Sequence, residues 1–520
     1  MDTPRRPSRR ELLQGAAGVG AAAALAGCGT LPPARADDRG GLPRRGGLLR
    51  IGAAGGGSND TLDAHAPRDN TDIMRAMQLY EPLLARTHSY GIEPAVAESV
   101  EPAADGMAWT VRIRAGLTFH DGRPVRPEDV IFSLRRITDP RRPRAAATLL
   151  APIDRDRMRK LDARTVQIPL RWPDRSLREV FCDYRTGIVP ADYDPKRPVG
   201  TGPFRYVAFD PGRRSVFRRF HDYWRNGEPY VDELRIANLS GDAARVNALL
   251  AGDADAVESV PYGEVPVVRA DPRSRLLVAK TGNWQPFTMR VDEQPFGDQR
   301  VRQALRLCVD RQRMVEQVMS GHGRVGNDLY APFDPCYAGD LPQREHDPDK
   351  ARSLLAAAGA DGLRVRLATS PVAPGMVRAA RELRDQARRA GVRVEVAKVA
   401  GNAFYGDGYL ERTFGQDAWS TWPYLVQATL GSLPRSPFNE CHWTDPDYLG
   451  LIRQARRSAD DRKRSQYLQD AQRIEWERGG YIIWGFGDTV DAYSRRIAGL
   501  RESRTGFPLG GYAFRKVWFA

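Results

Sequence analysis

The chain has 520 residues, against the ~150 of a common single domain, so two or more lobes are expected. Hydrophobic residues make up 41%, accompanied by 49 Gly, 38 Pro, 10 Trp and 18 Tyr, which excludes a wholly disordered or fibrous chain, and no apolar run reaches the ~18–20 residues of a membrane span, which excludes a multi-pass membrane protein. The formal charge is +14, but the basic residues are almost all Arg and are mixed with acids, as in DRKRSQYLQDAQRIEWER, so they read as solvated helix faces and no nucleic-acid partner is expected.

Residues 1–27 read as a signal peptide. Arg5, Arg6, Arg9 and Arg10 precede a short, weakly apolar stretch of mostly Ala and Gly, the grammar of an export signal. Ser8-Arg9-Arg10-Glu11-Leu12-Leu13 resembles the twin-arginine motif, whose pathway exports folded proteins. Leu25-Ala26-Gly27-Cys28 resembles a bacterial lipobox, in which the Cys28 thiol is lipidated and becomes the new N-terminus. Each buried CH2 contributes ~0.8 kcal/mol, so two or more acyl chains hold a protein at a membrane. Residues 28–47, rich in Gly, Pro and charge, read as a lipidated tether. The expected location is extracytoplasmic, with the body anchored to the cell membrane through Cys28. Cys182, Cys308, Cys336 and Cys441 fit no CxxC or zinc-knuckle spacing. Cys308 shares an apolar helix face with Val301, Ala304 and Leu305, which predicts a buried free thiol.

In the body, residues 48–51 predict a short strand. The GAAGGGSND that follows lacks both the G-x-G-x-x-G spacing and a Walker lysine, so an irregular loop is expected instead of a nucleotide site. TDIMRAMQLYEPLLART predicts a helix running to Pro82. Residues 109–114 alternate as a strand should, and Pro127-Glu128-Asp129 opens a helix with acids in its first turn, where the dipole favours them. Residues 161–168 read as a hairpin strand, and FRYVAFD and RSVFRRF as two more strands. DAARVNALLAG predicts an amphipathic helix and ADAVES a strand. A second α/β body begins near Asn283. It contains RVRQALRLCVDRQRMVEQVMSG as a single helix, DKARSLLAAAG as another, and the βαβ crossover LRVRLATS–VRAARELRDQARRAG–VRVEVAKV, whose strands pair in parallel.

Five blocks in this order resemble the extracellular solute-binding proteins of ABC importers, in the family of dipeptide-, oligopeptide- and nickel-binding members. They are Tyr80-Glu81-Pro82-Leu83, AVAESVEPAADGMAWTVRIRAGLTFHDGRPVRPEDVIFSLRR, VGTGPFRY, YWRNGEPYVDELRI and PFGDQRVRQALRLCVDRQRMVEQVMSGHG. The resemblance implies an α/β, two-lobed periplasmic-binding-protein-like fold (type II) with a subdomain inserted in the first lobe. The implied division is first lobe 48–84, inserted subdomain 85–199, first lobe again 200–280, second lobe 281–487, and first lobe again 488–520. It also implies hinge closure over a solute and delivery to a permease and ATPase complex by a monomeric, lipid-anchored subunit. A short peptide or peptide-like compound is the expected solute. No cofactor or metal is expected. No G-x-S-x-G, HExxH or similar signature appears, so catalysis is not expected either. The alternatives are an exported hydrolase on a two-lobed scaffold, or a binding protein feeding a signalling receptor.

The candidate ligand-binding residues fall in three segments. In QDAWSTWPYLVQ, Trp419, Trp422 and Tyr424 offer aromatic faces for a cation, a ring or an apolar group. Peptide-binding relatives usually read G-W-x-x-D-Y here, with the Asp pairing the ligand ammonium; aligning on Trp419 puts Trp422 at that acidic position. Asn283 and Trp284 precede the expected crossover strand into the second lobe, and Asn283 offers both donor and acceptor. Phe404 and Tyr405 sit in AGNAFYGDGY, a candidate binding loop. Glu81 and Asp60 are first-lobe carboxylates near the expected rim. Glu440, Cys441 and His442 are ligand types in one run, but adjacent side chains rarely reach one ion.

Overall fold

Two long strands, Ser274–Trp284 and Gly485–Ser494, set the architecture of the computed structural model, which describes residues 42–239 and 241–520. They pair antiparallel, with Leu276 opposite Ala492, Val278 opposite Val490 and Trp284 opposite Phe486. A bulge between Lys280 and Asn283 re-aims the strand where it leaves the first sheet, as bulges do. The first sheet has eight strands. Its path runs from Ser274–Trp284 through Gly485–Ser494, Ala256–Val257, Leu48–Ala53, Glu233–Asn238 and Arg214–Arg219 to Phe204–Asp210, with Gly323–Val325 joining off this path on Gly485–Ser494. Leu48–Ala53 pairs in parallel with both its neighbours. Alternating Leu49, Ile51, Leu234, Ile236 and Phe217 fill one core, and the C-terminal Leu509, Tyr512, Phe514 and Val517 complete it.

Immediately past the bulge, Phe287–Met289 enters a different, three-stranded sheet between Phe414–Gln416 and Tyr481–Ile482. The chain therefore passes twice between the sheets, at 284–287 and at 482–485. Around the second sheet, Arg364–Thr369 and Arg393–Lys398 pair in parallel across helix Met376–Ala387, whose buried Ala379, Ala380 and Leu383 recur at helical spacing. The stretch read as one helix from Arg300 to Met319 is two, Gln299–Leu307 and Arg311–Met319. The Asp310 side chain accepts from the Arg313 amide at 3.0 Å and starts the second helix afresh. Cys308 is buried at the break, and it, Cys182, Cys336 and Cys441 are all free thiols. Likewise the first helix is Asn70–Leu79 and stops at an extended Tyr80, short of Pro82.

A four-stranded antiparallel sheet, in the order Ala97–Pro102, Ala108–Ile113, Thr165–Pro169, Arg159–Lys160, is backed by helix Pro127–Ile137. Buried Val130, Leu134 and Ile137 seat that helix, each worth roughly 1.5–3 kcal/mol when removed from water. This unit also meets the body around the second sheet. The Arg175 amide donates to the Arg456 carbonyl at 2.8 Å, and the Arg456 guanidinium lies 3.7 Å from Asp174 while donating to Thr429 at 2.6 Å. No described helix is long and apolar enough to cross a membrane. Cys28, residues 1–27 and most of the 28–47 tether lie outside the described residues.

Candidate functional site

The three bodies and the C-terminal segment converge on a cavity of about 180 Å³. Tyr80 and Glu81 reach it from the end of the first helix, and Arg86, His88 and Glu93 from the hairpin that follows. Cys182 and Tyr184 come from the inserted unit, Thr421 and Trp422 from the body around the second sheet, and Thr505, Phe507, Arg515 and Lys516 from the C-terminal segment. Two larger hollows, about 490 and 560 Å³, are lined from one body each and bring no such convergence.

The aromatic wall is built around Trp422, which is held half-buried by Pro423 at the start of helix Tyr424–Gly431. Its ring stacks on Tyr184 at 6.3 Å and 28°, and the Arg185 guanidinium lies 5.0 Å from its centroid. Arg185 is buried and bound to Asp183 at 2.8 Å, so the cation beneath Trp422 is fixed. Phe507 meets Tyr184 edge-on at 5.5 Å.

The acids lining the cavity are spoken for. Glu81 accepts from the Tyr223 hydroxyl at 2.6 Å and the Trp224 indole at 2.7 Å; burial raises its pKa, partly offset by those two donors. Glu93 accepts from Arg225 at 2.6 Å, Glu179 pairs with Arg86, and Asp183 holds Arg185. Arg515 lies 2.8 Å from Glu228. Lys516 makes no side-chain hydrogen bond or ion pair among the described residues. Burial, together with Lys516, Arg515 and Arg501, lowers the His88 pKa to about 4, so this imidazole is neutral at pH 7.

Of the candidates named from sequence, Trp422 and Glu81 line this cavity. Asn283, Trp284 and Trp419 line a smaller hollow of about 90 Å³ beside the crossover strands. The Asn283 carbonyl accepts from the Thr421 amide and hydroxyl, both at 2.9 Å, and its amide donates to the Gly506 carbonyl at 3.0 Å. This clasp separates the two hollows, because Thr421 lines the larger and Gly506 the smaller. Trp284 and Trp419 exchange backbone hydrogen bonds and stack at 5.8 Å and 10°, each at most 2% exposed. Tyr424 is fully buried and donates to Glu475 at 2.7 Å. Phe404 and Tyr405 are buried too, the Tyr405 hydroxyl on Asp417 at 3.1 Å. Tyr424, Phe404 and Tyr405 line neither hollow.

Asp60 is bound to Arg75 at 2.9 Å and to Asn238 at 2.8 Å. It groups with Asp69 and Asp72, and the Arg75 guanidinium bonded to both Asp60 and Asp72 occupies the place of a cation there. Glu440 accepts from the Trp419 indole and the Tyr481 hydroxyl, while His442 turns to Asp292 and the Leu410 carbonyl, so the two do not share a site. Sequence reasoning missed Tyr184 and the whole segment 503–516; its only pointer was the density of Gly and aromatic residues in FPLGGYAF.

Residues 91–434, more than half of the chain, match the family described as bacterial extracellular solute-binding proteins, family 5 Middle. The chain is 26% identical over 486 residues to the peptide transport periplasmic protein SapA of Salmonella typhimurium, covering 85% of this chain and 86% of that one. It is 24% identical over 485 residues to di/tripeptide-binding protein 2 of Pseudomonas aeruginosa, covering 85% and 89%. Among solved structures it resembles the ABC transporter substrate-binding protein CtaP of Listeria monocytogenes, with a TM-score of 0.81 at 19% identity over 92% of this chain and all of that one.

Proposed function

The chain belongs to the family 5 bacterial extracellular solute-binding proteins, and we propose from that membership and from the cavity that it captures a short peptide or peptide-like solute. It is the substrate-binding subunit of an ABC importer and hands its solute to a membrane permease. The observation that carries this reading is the meeting of three bodies on one cavity. A ligand touching all of them is buried only when they are together, so loaded and empty forms present different surfaces to a permease. The relatives named for peptides support the solute class. The division into lobes at 48–84, 200–280 and 488–520, an insert at 85–199 and a second lobe at 281–487 belongs to the same proposal.

Export and anchoring complete it. The Arg9-Arg10 pair, the weakly apolar run and Leu25-Ala26-Gly27-Cys28 stand in the order a lipoprotein signal requires, so Cys28 is the lipidation site and the body works outside the cytoplasm, tethered to the membrane.

Native mass spectrometry of residues 42–520, purified from the natural host, tests the reading. The expected result is a defined adduct that leaves on unfolding and is identified as a peptide or peptide-like compound. Turnover of such compounds, with no retained adduct, would sink it.

A further inference from the structure

Charge matching within the cavity narrows the solute, given the binding-protein reading above. A buried charged group is costly unless it is paired, so the groups left without partners describe the ligand. On the acidic side nothing is offered to a cationic ligand. Glu93, Glu179 and Asp183 each hold an arginine of the protein, and Glu81 is only 9% exposed behind Tyr223 and Trp224. On the basic side, Arg225 and Arg515 are matched by Glu93 and Glu228, and Lys516 beside them is matched by nothing described. Glu81 apart, whose carboxylate is held by neutral donors, Lys516 is the one lining cation without an ion pair among the described residues. The neutral His88 and the hydroxyl of Thr505, another lining side chain, add polar contacts without charge.

The aromatic wall of the cavity is the Trp422 ring, already backed by the Arg185 cation. A second cation brought to Trp422 would meet Arg185 across the ring, whereas an apolar or aromatic group suits that face.

We infer that the cavity selects a solute bearing a carboxylate, which pairs with Lys516, and an apolar or aromatic group, which packs on Trp422, and that it needs no free amino terminus. An N-blocked peptide or N-acylated amino acid has this chemistry. Specificity comes from the half-buried cation: a ligand without the carboxylate leaves Lys516 unpaired at the cavity wall, and a site built around one polar partner rejects analogues that lack it.

The test is calorimetric titration of Leu-Phe in four forms: free, N-acetylated, C-amidated, and blocked at both ends. The expected result is that acetylation changes Kd by less than about threefold and amidation raises it tenfold or more, ~1.4 kcal/mol. Lys516→Met should erase the penalty for amidation and Lys516→Arg should keep it, with melting temperatures showing both variants folded. If acetylation abolishes binding while amidation is tolerated, or if Glu81→Gln selectively removes binding of the free-amine forms, the inference is overturned and the peptide reading stands. If no form binds, the host-derived adduct decides: a released carboxylate supports the inference, and a neutral or cationic compound overturns it. Absence of any adduct as well would overturn the peptide reading itself.

Discussion

Trp284 lies flat against Trp419 with Tyr330 on its other flank at 5.5 Å, whereas Trp422 keeps part of its ring in the cavity. The two residue types are identical, so only the surroundings separate core from site. Trp284→Ala is expected to cost 3–5 kcal/mol of stability through the cavity it leaves. Trp422→Ala should leave the melting temperature of the unliganded form nearly unchanged and weaken ligand binding about tenfold or more; a large stability loss with unchanged affinity would reverse these assignments. Behind the stack, Glu475 is fully buried and receives only neutral hydroxyls, from Tyr424 at 2.7 Å and Ser432 at 2.9 Å. Burial raises its pKa to about 7. The folded state therefore holds a proton that the unfolded chain releases above about pH 4.5, and stability falls as pH rises through that window to about 7. Between pH 5.5 and pH 8 the urea midpoint of Glu475→Gln should fall by less, or rise by more, than that of the unmodified chain. Asp491 and Asp72, also raised to about 7 by burial, act in the same direction, and the His65, His88 and His120 imidazoles, lowered by burial to about 4, act against them.

Between elements, the decisive contacts run through Asn283. Removing its side chain leaves the Thr421 amide and the Gly506 carbonyl without partners in a part-buried seam, a loss of about 1–3 kcal/mol. Asn283→Ala should lower the melting temperature and also weaken ligand binding, because the clasp holds Thr421 at the cavity wall; unchanged affinity with reduced stability would confine Asn283 to the seam. At this scale the sequence was readable where periodicity is local. Alternation in 364–369 and 393–398 around an amphipathic helix dictates the parallel pair. The break at 308–310 was hidden because apolar spacing continues on both sides, through Cys308 and then Met314, Val315 and Val318; the capping Asp310 was the signal against a single helix. The cavity was much less readable. Trp422 could be singled out as an aromatic residue near a crossover, but Lys516 reaches it from almost one hundred residues further on, and nothing in its neighbours distinguishes it from a solvated lysine.

Across the whole molecule, the inserted unit reaches past the first sheet to touch the second body at Asp174, Arg175 and Arg456. With the crossover strands on one side and this contact on another, the cavity is bounded from two directions. The proposed anchor acts at this scale as well, since it confines the body near its permease without altering any contact within it. Cys28→Ser should shift the protein from the membrane to the soluble extracytoplasmic fraction while the released protein keeps its solute affinity. Retention in the membrane fraction would show that another segment does the anchoring.

The interleaving of the chain also sets when the molecule becomes competent. Strand Leu48–Ala53 is made early, yet its partner Glu233–Asn238 lies some 185 positions later, and the core above it closes only with Leu509, Tyr512 and Phe514. The same last stretch carries Phe507 and Lys516 to the cavity. The segment from Phe507 to Val517 must therefore be in place before either the first sheet is covered or the cavity exists. Truncation at the C-terminus, even by a dozen residues, removes part of a wall and part of a core in the same stroke.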